Sequence, residues 1–376
     1  MAVYKIFPYK DATLYSEAVA TNTGLDAISE VRNYIGITGT PDVTRFLTQF
    51  DDDEITDVVE NKIGSNDWDV SFRNFIAEAT GLSFATTLEF FPVAQTWENG
   101  TGEFGDSPAT TDGVSWGYTN ISGSTSWSES GSVGTELYTS SYNPQYTNQG
   151  GGNWFYSGSG IASYRVTQSF DLRSDKDIDV GVKTIVSKWY SRSLPNYGFL
   201  TKFSGSSEFN TSLDIQPTLK YYSVDTNTIY PPQLEFKWRD YTSILTGSES
   251  TIVSDPNIKM SLAENPGRFY QDSVNRFRLN ISPMYPARVF QTSSFYVSTN
   301  YLPTASYYAI KDLDTNEYVI NFDNQYTQIS ADSTSNYFDI HMNGLEPERY
   351  YKIQVKTTID GSIRIYDDHY YFKIVN

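Results

Sequence analysis

Two aromatic-rich stretches, residues 94–118 and 196–240, constrain the fold of this chain more than any other feature. Each ends in strand-like sequence that is closed by an acidic turn containing Gly or Pro. At the end of the second stretch, apolar and polar residues alternate in the run LEFKW at 234–238, the pattern of a strand with one buried face. The two stretches predict one β-rich domain over most of residues 1–240, and they favour a binding or structural module over an enzyme.

The composition predicts an all-β fold. Aromatic residues make up 16% of the chain, with 30 Tyr and 22 Phe, and these side chains favour half-buried strands. The 25 Gly and 15 Pro, together with many Ser, Thr, Asn and Asp, supply frequent turns. Many short strands separated by turns are typical of a sandwich or a barrel. A length of 376 residues favours two domains.

Charge and residue usage exclude several classes of function. The net charge of −18 disfavours phosphate backbones, so we expect no nucleic-acid partner. The absence of Cys excludes disulfides, cysteine nucleophiles and cysteine-based zinc sites, and only two His remain, His341 and His369. The start MAVYKIFPYK lacks the apolar core of a signal peptide, and no apolar run is long enough to span a membrane, so we expect neither export nor a membrane partner.

The pattern along the chain predicts where the domains begin and end. We expect a first domain at 1–240, with an irregular excursion rich in Ser, Thr, Gly and Asn at about 118–160. A polar stretch at 241–265 has little periodicity and predicts a linker. A smaller second domain follows at 266–376, in which apolar residues alternate in several short runs (Phe277, Leu279, Ile281; Phe338, Ile340, Met342; Tyr351, Ile353, Val355).

Residues 179–190 predict the one clear short helix. Four apolar residues fall at i, i+3, i+4 and i+7 and form a single face: Val182, Ile185, Val186 and Trp189. Asp179 is the expected N-cap.

The first domain resembles the DNRLRE family of jelly-roll modules, which is related to carbohydrate-binding modules. The resemblance depends on the order of several short landmarks: Asp11-Ala12-Thr13-Leu14, Asn22-Thr23-Gly24, Arg45 to Asp51, Trp97 to Gly102, Asp112 to Trp116, a helix with Trp189, Asn196 to Phe199, and Pro232 to Trp238. It implies a jelly-roll β-sandwich. The extra segment at 118–160 expands this sandwich relative to the family.

The second domain resembles a fibronectin type III or related immunoglobulin-like sandwich. Gly344-Leu345-Glu346-Pro347 followed by Tyr351 is similar to that family's tyrosine corner, for which we name Leu345, Pro347 and Tyr351. The resemblance implies that the Tyr351 hydroxyl ties a loop to the sandwich. The expected fold is therefore a jelly-roll β-sandwich followed by a smaller immunoglobulin-like or fibronectin III-like β-sandwich.

The whole chain, including its opening VYKIFPYKDATLYSE, also resembles virion structural proteins of tailed phages, notably those of marine phages that infect cyanobacteria. This resemblance implies a protein associated with the capsid, neck, tail, baseplate or a fibre. It implies that the partners are other virion proteins and copies of the chain itself. It also implies that the protein resides in the virion, after assembly in the host cytoplasm.

Four aromatic residues are candidates for stacking on a glycan: Trp97, Trp116, Tyr118 and Trp154. Aromatic faces pack well against the apolar faces of pyranose rings. Three of the four lie beside strand-like sequence, so the alternative interpretation is that they belong to the core.

Acidic loops offer calcium candidates at Asp51, Asp52, Asp53, Asp106 and Asp112. The acidic cluster before Ile55 equally suits a helix N-terminus or a turn. No other cofactor is expected.

Catalytic signatures are weak. Glu98, Glu103, Asp106 and Asp112 could pair as in a glycosidase, and Asp367-Asp368-His369 places acids beside a His. No nucleophile elbow, P-loop or dinucleotide fingerprint accompanies them, so we expect no catalytic residues and no enzyme activity. The expected function is structural, by protein–protein assembly in a phage virion. The alternative is a carbohydrate-binding adhesion module that recognises host surface glycans.

Overall fold

The computed structural model describes residues 2–35, 41–82, 85–127, 133–134, 150–155, 164–208, 217–244, 251–263, 265–285, 299–368 and 370–376. The fold is all-β, with 46% strand and 8% helix, which confirms the class expected from the composition. Among the described residues, no helix has the length and apolar character needed to cross a membrane. Most of the predicted excursion at 118–160 lies outside the described residues.

The strands account for most of the regular structure. The first sixteen are β1 Ala2–Ile6, β2 Lys10–Tyr15, β3 Ile28–Ile35, β4 Pro41–Gln49, β5 Trp68–Asn74, β6 Ile76–Thr80, β7 Thr86–Pro92, β8 Tyr118–Asn120, β9 Thr125–Ser126, β10 Val133–Gly134, β11 Trp154–Phe155, β12 Val166–Phe170, β13 Ile178–Gly181, β14 Phe199–Phe203, β15 Thr218–Tyr222 and β16 Gln233–Trp238. The others are β17 Thr251–Ile252, β18 Ile258–Ala263, β19 Arg268–Tyr270, β20 Val274–Pro283, β21 Asn300–Tyr301, β22 Ser306–Asp312, β23 Tyr318–Ile320, β24 Ser330–Ala331, β25 Asn336–His341, β26 Tyr350–Ile359, β27 Ser362–Tyr366 and β28 Tyr371–Val375.

Short helices interrupt the strands. They are α1 Asp52–Asp57, which continues as a π-helical segment over Val58–Ile63, α2 Lys183–Tyr190, α3 Gly205–Glu208, and a 3₁₀ turn at Met342–Gly344.

The chain forms two compact units. The N-terminal unit comprises Ile6–Lys62 and Val70–Glu235, and the C-terminal unit comprises Met1–Lys5, Ile63–Asp69 and Phe236–Asn376. Strand β18 lies within the segment expected to be a linker, and its Ile258 and Met260 belong to the core of the C-terminal unit. The domain limits drawn from the sequence, 1–240 and 266–376, stay predictions.

A curled sheet of eight antiparallel strands dominates the N-terminal unit. Its order is β12-β7-β14-β4-β3-β15-β6, and β2 also pairs with β4. Strand β14 lies between β7 and β4, and all five of its residues are buried. Phenylalanine rings fill one part of the core, where Phe72 stacks on Phe199 with ring centroids 5.4 Å apart. A second cluster packs Trp97, Trp116, Trp127 and Trp154 among aliphatic side chains.

The C-terminal unit is a β-sandwich. One sheet has the order β18-β20-β25-β24, and the other has the order β19-β28-β26-β22-β23 with β27 paired to β26. The predicted alternation holds, because every second residue along β20, β25 and β26 points into one shared core. The residues predicted to alternate are all buried in that core: Phe277, Leu279, Ile281, Phe338, Ile340, Met342, Tyr351, Ile353 and Val355.

The predicted helix at 179–190 begins four residues later than expected. Residues Ile178–Gly181 form strand β13, which pairs with β5, and α2 begins at Lys183. The N-cap residue is Val182, without a side-chain cap, so the prediction of Asp179 as the cap was wrong. Pairing with β5 keeps Asp179 in the strand and opposite Arg73, whereas the apolar face of Ile185, Val186 and Trp189 is buried as predicted.

Candidate functional site

Three of the landmarks behind the jelly-roll resemblance meet at the side chain of Asn22. Its Nδ2 donates to the carbonyl oxygens of Asn99 at 2.7 Å and Val114 at 2.8 Å. Its Oδ1 accepts from the backbone N–H groups of Gly24 at 3.2 Å and Gly102 at 2.8 Å. The amide thus uses its donors and its acceptor to join three loops that are distant in sequence.

Glycines make this junction possible. A Cβ on Gly24 would lie 2.2 Å from the carbonyl oxygen of Asn99, and a Cβ on Gly113 would lie 2.4 Å from the Cα of Gly100. Gly113 also adopts a φ of +71°, which L side chains rarely tolerate. These landmarks therefore hold the three loops together through close contacts between their backbones. Packing explains why the residues at the contacts are Asn and Gly.

The three tryptophans expected to stack on a glycan are core residues. Trp97, Trp116 and Trp154 are 1%, 6% and 0% exposed and share a cluster with Phe91 and Leu200. The indole N–H of Trp97 donates to the carbonyl oxygen of Tyr197 at 2.9 Å. Because these rings face the interior, the prediction of a stacking platform on them is corrected.

Tyr118, the fourth candidate, is half-buried at the start of β8. It pairs with Ser126 of β9, so its placement also follows from a strand. The alternative interpretation of these aromatic residues, that they fill the core, is the one that the burial of the three tryptophans supports.

The calcium candidates act as loop and helix caps. Asp51 is the N-cap of α1, and its Oδ1 accepts from the N–H groups of Asp53 and Glu54 at 2.8 and 3.0 Å. This agrees with the expectation of a helix N-terminus. Asp53 lies exposed in the first turn of that helix. Asp52 pairs instead with Arg192 at 2.9 Å.

The other two candidates close an exposed loop. Asp106 accepts from the N–H of Glu103 and the hydroxyl of Thr110, and these bonds lower the pKa of its carboxyl. Asp112 accepts from the N–H and the hydroxyl of Thr101. Within the described part of the chain, no group of three acidic, His or Cys side chains is placed to hold a metal ion.

The carboxylates considered for glycosidase chemistry share this loop, and Glu98 and Glu103 are exposed there. His369 lies outside the described residues.

Sequence reasoning missed a buried cluster of charges in the N-terminal unit. The guanidinium of Arg45 lies 2.6 Å from Glu208, and Lys202 lies 3.2 Å from Glu208 and 3.4 Å from Glu89. The side chains of Lys202 and Glu208 are fully buried. Burial alone would raise the pKa of Glu208, but Arg45 and Lys202 outweigh it and lower that pKa. Arg45 also donates to the Gly151 carbonyl oxygen at 2.7 Å, so the cluster orders its surroundings.

The predicted tyrosine corner lies in the loop before β26 and at the start of that strand. The Tyr351 hydroxyl donates to the carbonyl oxygen of Glu346 at 3.0 Å, and the ring is buried against Phe372. Leu345 is buried in the same core, and Pro347 is half-buried in the intervening loop. This bond ties the loop before β26 to the sandwich.

Strand β27 offers an edge on the C-terminal unit. The turn Asp360-Gly361, with φ of 50° and 72°, reverses the chain after β26, so that β27 pairs back along Val355–Ile359. In the described part of the chain, β26 is the only strand paired with β27. Ile363 and Ile365 are 70% and 53% exposed, and Ser362 and Arg364 are also exposed. An edge strand with apolar residues in solvent is a template for pairing with another chain.

The outer face of the same sheet carries an array that we call the tyrosine–lysine face. It comprises Tyr307, Lys311, Tyr318, Phe322, Tyr350, Lys352, Lys356, Tyr371 and Lys373. Each lysine ammonium lies over an aromatic ring, as in Lys356 at 4.8 Å from the Phe322 centroid and Lys311 at 4.7 Å from that of Tyr318. Register places these residues together, because Tyr307 is opposite Lys356, which in turn is opposite Ile365.

The lysines of this face differ in their neighbours. Lys352 lies 2.7 Å from Asp367, a hydrogen bond that raises the pKa of Lys352, and Lys373 contacts Glu348. Lys311 donates to the neutral Asn316 side chain at 3.0 Å. Lys356 contacts two aromatic rings, those of Tyr307 and Phe322.

Comparison with known proteins finds no matching family model, no matching curated protein and no matching solved structure. The family resemblances drawn from the sequence stay predictions.

Sequence signals for the missed surfaces do exist. Asp360-Gly361 is a hairpin turn signal, and the run SIRIY after it alternates polar and apolar residues. Lys352 and Lys356, four residues apart in the run YYKIQVK, have their side chains on one face of a strand. What the sequence could not show is that, among the described strands, only β26 pairs with β27, and that the residues of the tyrosine–lysine face are half-buried or exposed.

Proposed function

We propose that the protein is a structural component of a phage virion, associated with the neck, tail, baseplate or a fibre, and that it acts by protein–protein assembly. The observation that carries the proposal is the exposed edge of β27 with Ile363 and Ile365. The particle is proposed as the place of assembly from the resemblance to virion proteins that was drawn from the sequence, including the opening segment at 3–17.

The physical basis is strand addition. A partner strand beside β27 would form hydrogen bonds with the outward N–H and C=O groups of the edge. The alternation of side chains between the two faces of the sheet would favour one register of that strand. Covering the two isoleucines adds hydrophobic stabilisation of about 1.5–3 kcal/mol for each side chain that is fully buried. Such a contact needs neither a cofactor nor a catalytic group.

The alternative, a carbohydrate-binding adhesion module, is less well supported, because three of the four residues expected to stack on a glycan are buried. Trp97, Trp116 and Trp154 cannot stack on a sugar while they fill the core.

The test is to locate the protein in particles and to block the edge. Particles from cells that produce the phage are purified, analysed by mass spectrometry and labelled with antibody against this chain. The proposal expects a label at one region of the particle and incorporation of added wild-type protein during assembly. The double variant Ile363→Lys/Ile365→Lys should lose incorporation while its thermal unfolding stays close to wild type, because both side chains are already exposed.

The matched control is Val274→Lys, which places a lysine at another exposed strand position of the C-terminal unit. It should be incorporated like wild type. Absence of the chain from the particles would overturn the virion proposal, and normal incorporation of the edge variant would overturn the role of β27.

A further inference from the structure

We infer that the tyrosine–lysine face binds the acidic surface of the N-terminal unit of a second copy of this chain. The inference rests on the proposed assembly function and names the partner of that assembly.

Charge is unevenly divided between the two units. The N-terminal unit has 13 Lys and Arg against 27 Asp and Glu, a net charge of −14. The C-terminal unit has 14 against 18, a net charge of −4. Four lysines of that second unit are gathered on one sheet face: Lys311, Lys352, Lys356 and Lys373. Lys352 and Lys373 already pair with Asp367 and Glu348, so Lys311 and Lys356 supply the positive charge that complements the N-terminal unit of another molecule.

The construction of the face favours a protein surface. Ring contacts hold the lysine ammonium groups over Tyr307, Tyr318 and Phe322, which limits the conformational freedom lost on binding. Tyrosine contributes a large contact area with a polar tip, and the Tyr318 hydroxyl already donates to Gln354 at 2.9 Å. Ile365, opposite Lys356 in the register, extends the face to the β27 edge.

The geometry of this contact is head to tail. Two tyrosine–lysine faces brought together would oppose lysine to lysine, which is unfavourable, so the face selects the acidic unit of the other copy. A contact between different surfaces of identical chains repeats, and it closes into a ring or continues as a filament.

The first experiment measures self-association of the full-length protein by sedimentation velocity over a concentration series. At low salt the protein should form oligomers, and association should weaken as sodium chloride is raised towards 0.5 M, because salt screens exposed charges. Lys356→Glu should weaken the self-association constant by about tenfold or more, since one attraction becomes a repulsion. Lys356→Arg, which keeps the charge, should associate nearly as wild type.

The matched control is the charge reversal Lys259→Glu. Lys259 is an exposed residue of β18, in the other sheet of the sandwich. This reversal changes the net charge equally and should leave association near the wild-type level. A monomer at every concentration and salt, or equal loss from the two reversals, would overturn the inference.

The second experiment identifies the contacting surfaces. Natural-abundance and ¹⁵N-labelled protein are mixed at equal amounts and treated with a carbodiimide, which joins lysines to carboxylates in contact. Mixed-isotope peptide pairs come only from two different copies. They should link Lys311 or Lys356 to Asp and Glu of the N-terminal unit. Mixed pairs confined to the C-terminal unit would refute the proposed partner.

The two proposals fail separately. If the chain is found in particles but Lys356→Glu assembles and associates as wild type, the assembly function stands and the tyrosine–lysine face is not the interface. If salt-sensitive oligomers form but the chain is absent from particles, the self-contact stands and the virion assignment fails.

Discussion

Replacing Glu208 with Gln should cost the N-terminal unit about 3–5 kcal/mol of unfolding free energy, the usual range for breaking a buried ion pair from one side. Glu208 is fully buried and is paired with Arg45 at 2.6 Å and Lys202 at 3.2 Å. The amide keeps the volume and one acceptor but removes the charge that compensates two buried cations. Glu89, 3.4 Å from Lys202, remains as partial compensation.

Urea unfolding followed by tryptophan fluorescence suits this measurement. Five of the seven tryptophans belong to the N-terminal unit, and the Arg45 guanidinium lies 5.1 Å from the Trp116 ring centroid and 5.4 Å from that of Trp154. The control is Glu78→Gln, which breaks the exposed pair with Lys220 at 2.8 Å. Its cost should stay below about 1 kcal/mol, because water screens such a pair.

The pH dependence of the unfolding free energy provides a second test of the Glu208 ion pairs. Because the pKa of Glu208 is lowered in the folded protein, its stabilising contribution is complete above the ordinary glutamate value of 4.5 and is lost as the pH falls through the lowered value. The difference between wild type and Glu208→Gln should therefore shrink below pH 4.5. Equal small losses from Glu208→Gln and Glu78→Gln would refute the argument that the buried charge cluster orders this unit.

Two further predictions concern buried polar side chains of the N-terminal unit. Burial raises the pKa of Asp11 to about 8, although a hydrogen bond from the Val224 N–H opposes this. The free energy of unfolding should fall by no more than about 6 kcal/mol as the pH rises from about 4 to about 8. Asp11→Asn should remove this fall. The prediction would be contradicted if the urea midpoints at pH 5 and pH 9 differed equally in the two proteins. Asn22→Ala should cost about 3 kcal/mol or more, because four backbone groups lose their partner. Asn22→Asp, which keeps the two accepted bonds but turns a buried carboxylate oxygen towards the carbonyl oxygens of Asn99 and Val114, should lose at least as much in the same urea titration, and a wild-type midpoint would argue against the role of the two donated bonds.

Local patterns were sufficient where the structure depends on neighbours in sequence. The alternation of Phe277, Leu279 and Ile281 predicted a strand with one buried face, and all three are in the sandwich core. Asp51 is the N-cap of α1, and a helix N-terminus was one of the alternatives that the acidic cluster before Ile55 left open. In these cases both the sequence pattern and the structural feature that it predicts extend over only a few residues.

Local patterns failed where a distant partner decided the outcome. Asp179 has the properties of a helix cap, but the pairing of β13 with β5 places it in a strand. Trp97 and Trp154 come from segments more than 50 residues apart in sequence, and only sheet pairing shows that they fill one core. A lysine such as Lys202 is usually exposed in a strand, yet Lys202 lies opposite Glu89 of β7 and is buried with Glu208.

The sequence by itself determined the all-β class, the strands with alternating residues and the acidic character of the chain, because residue periodicity and charge are local and additive. The tertiary structure decided which aromatic residues are buried, which charges are buried together, and which edge and face are exposed among the described residues. Those properties depend on the strand that lies alongside. An alternating run has no free edge when strands pair on both of its sides, whereas β27, among the described strands, pairs only with β26 and leaves one edge open.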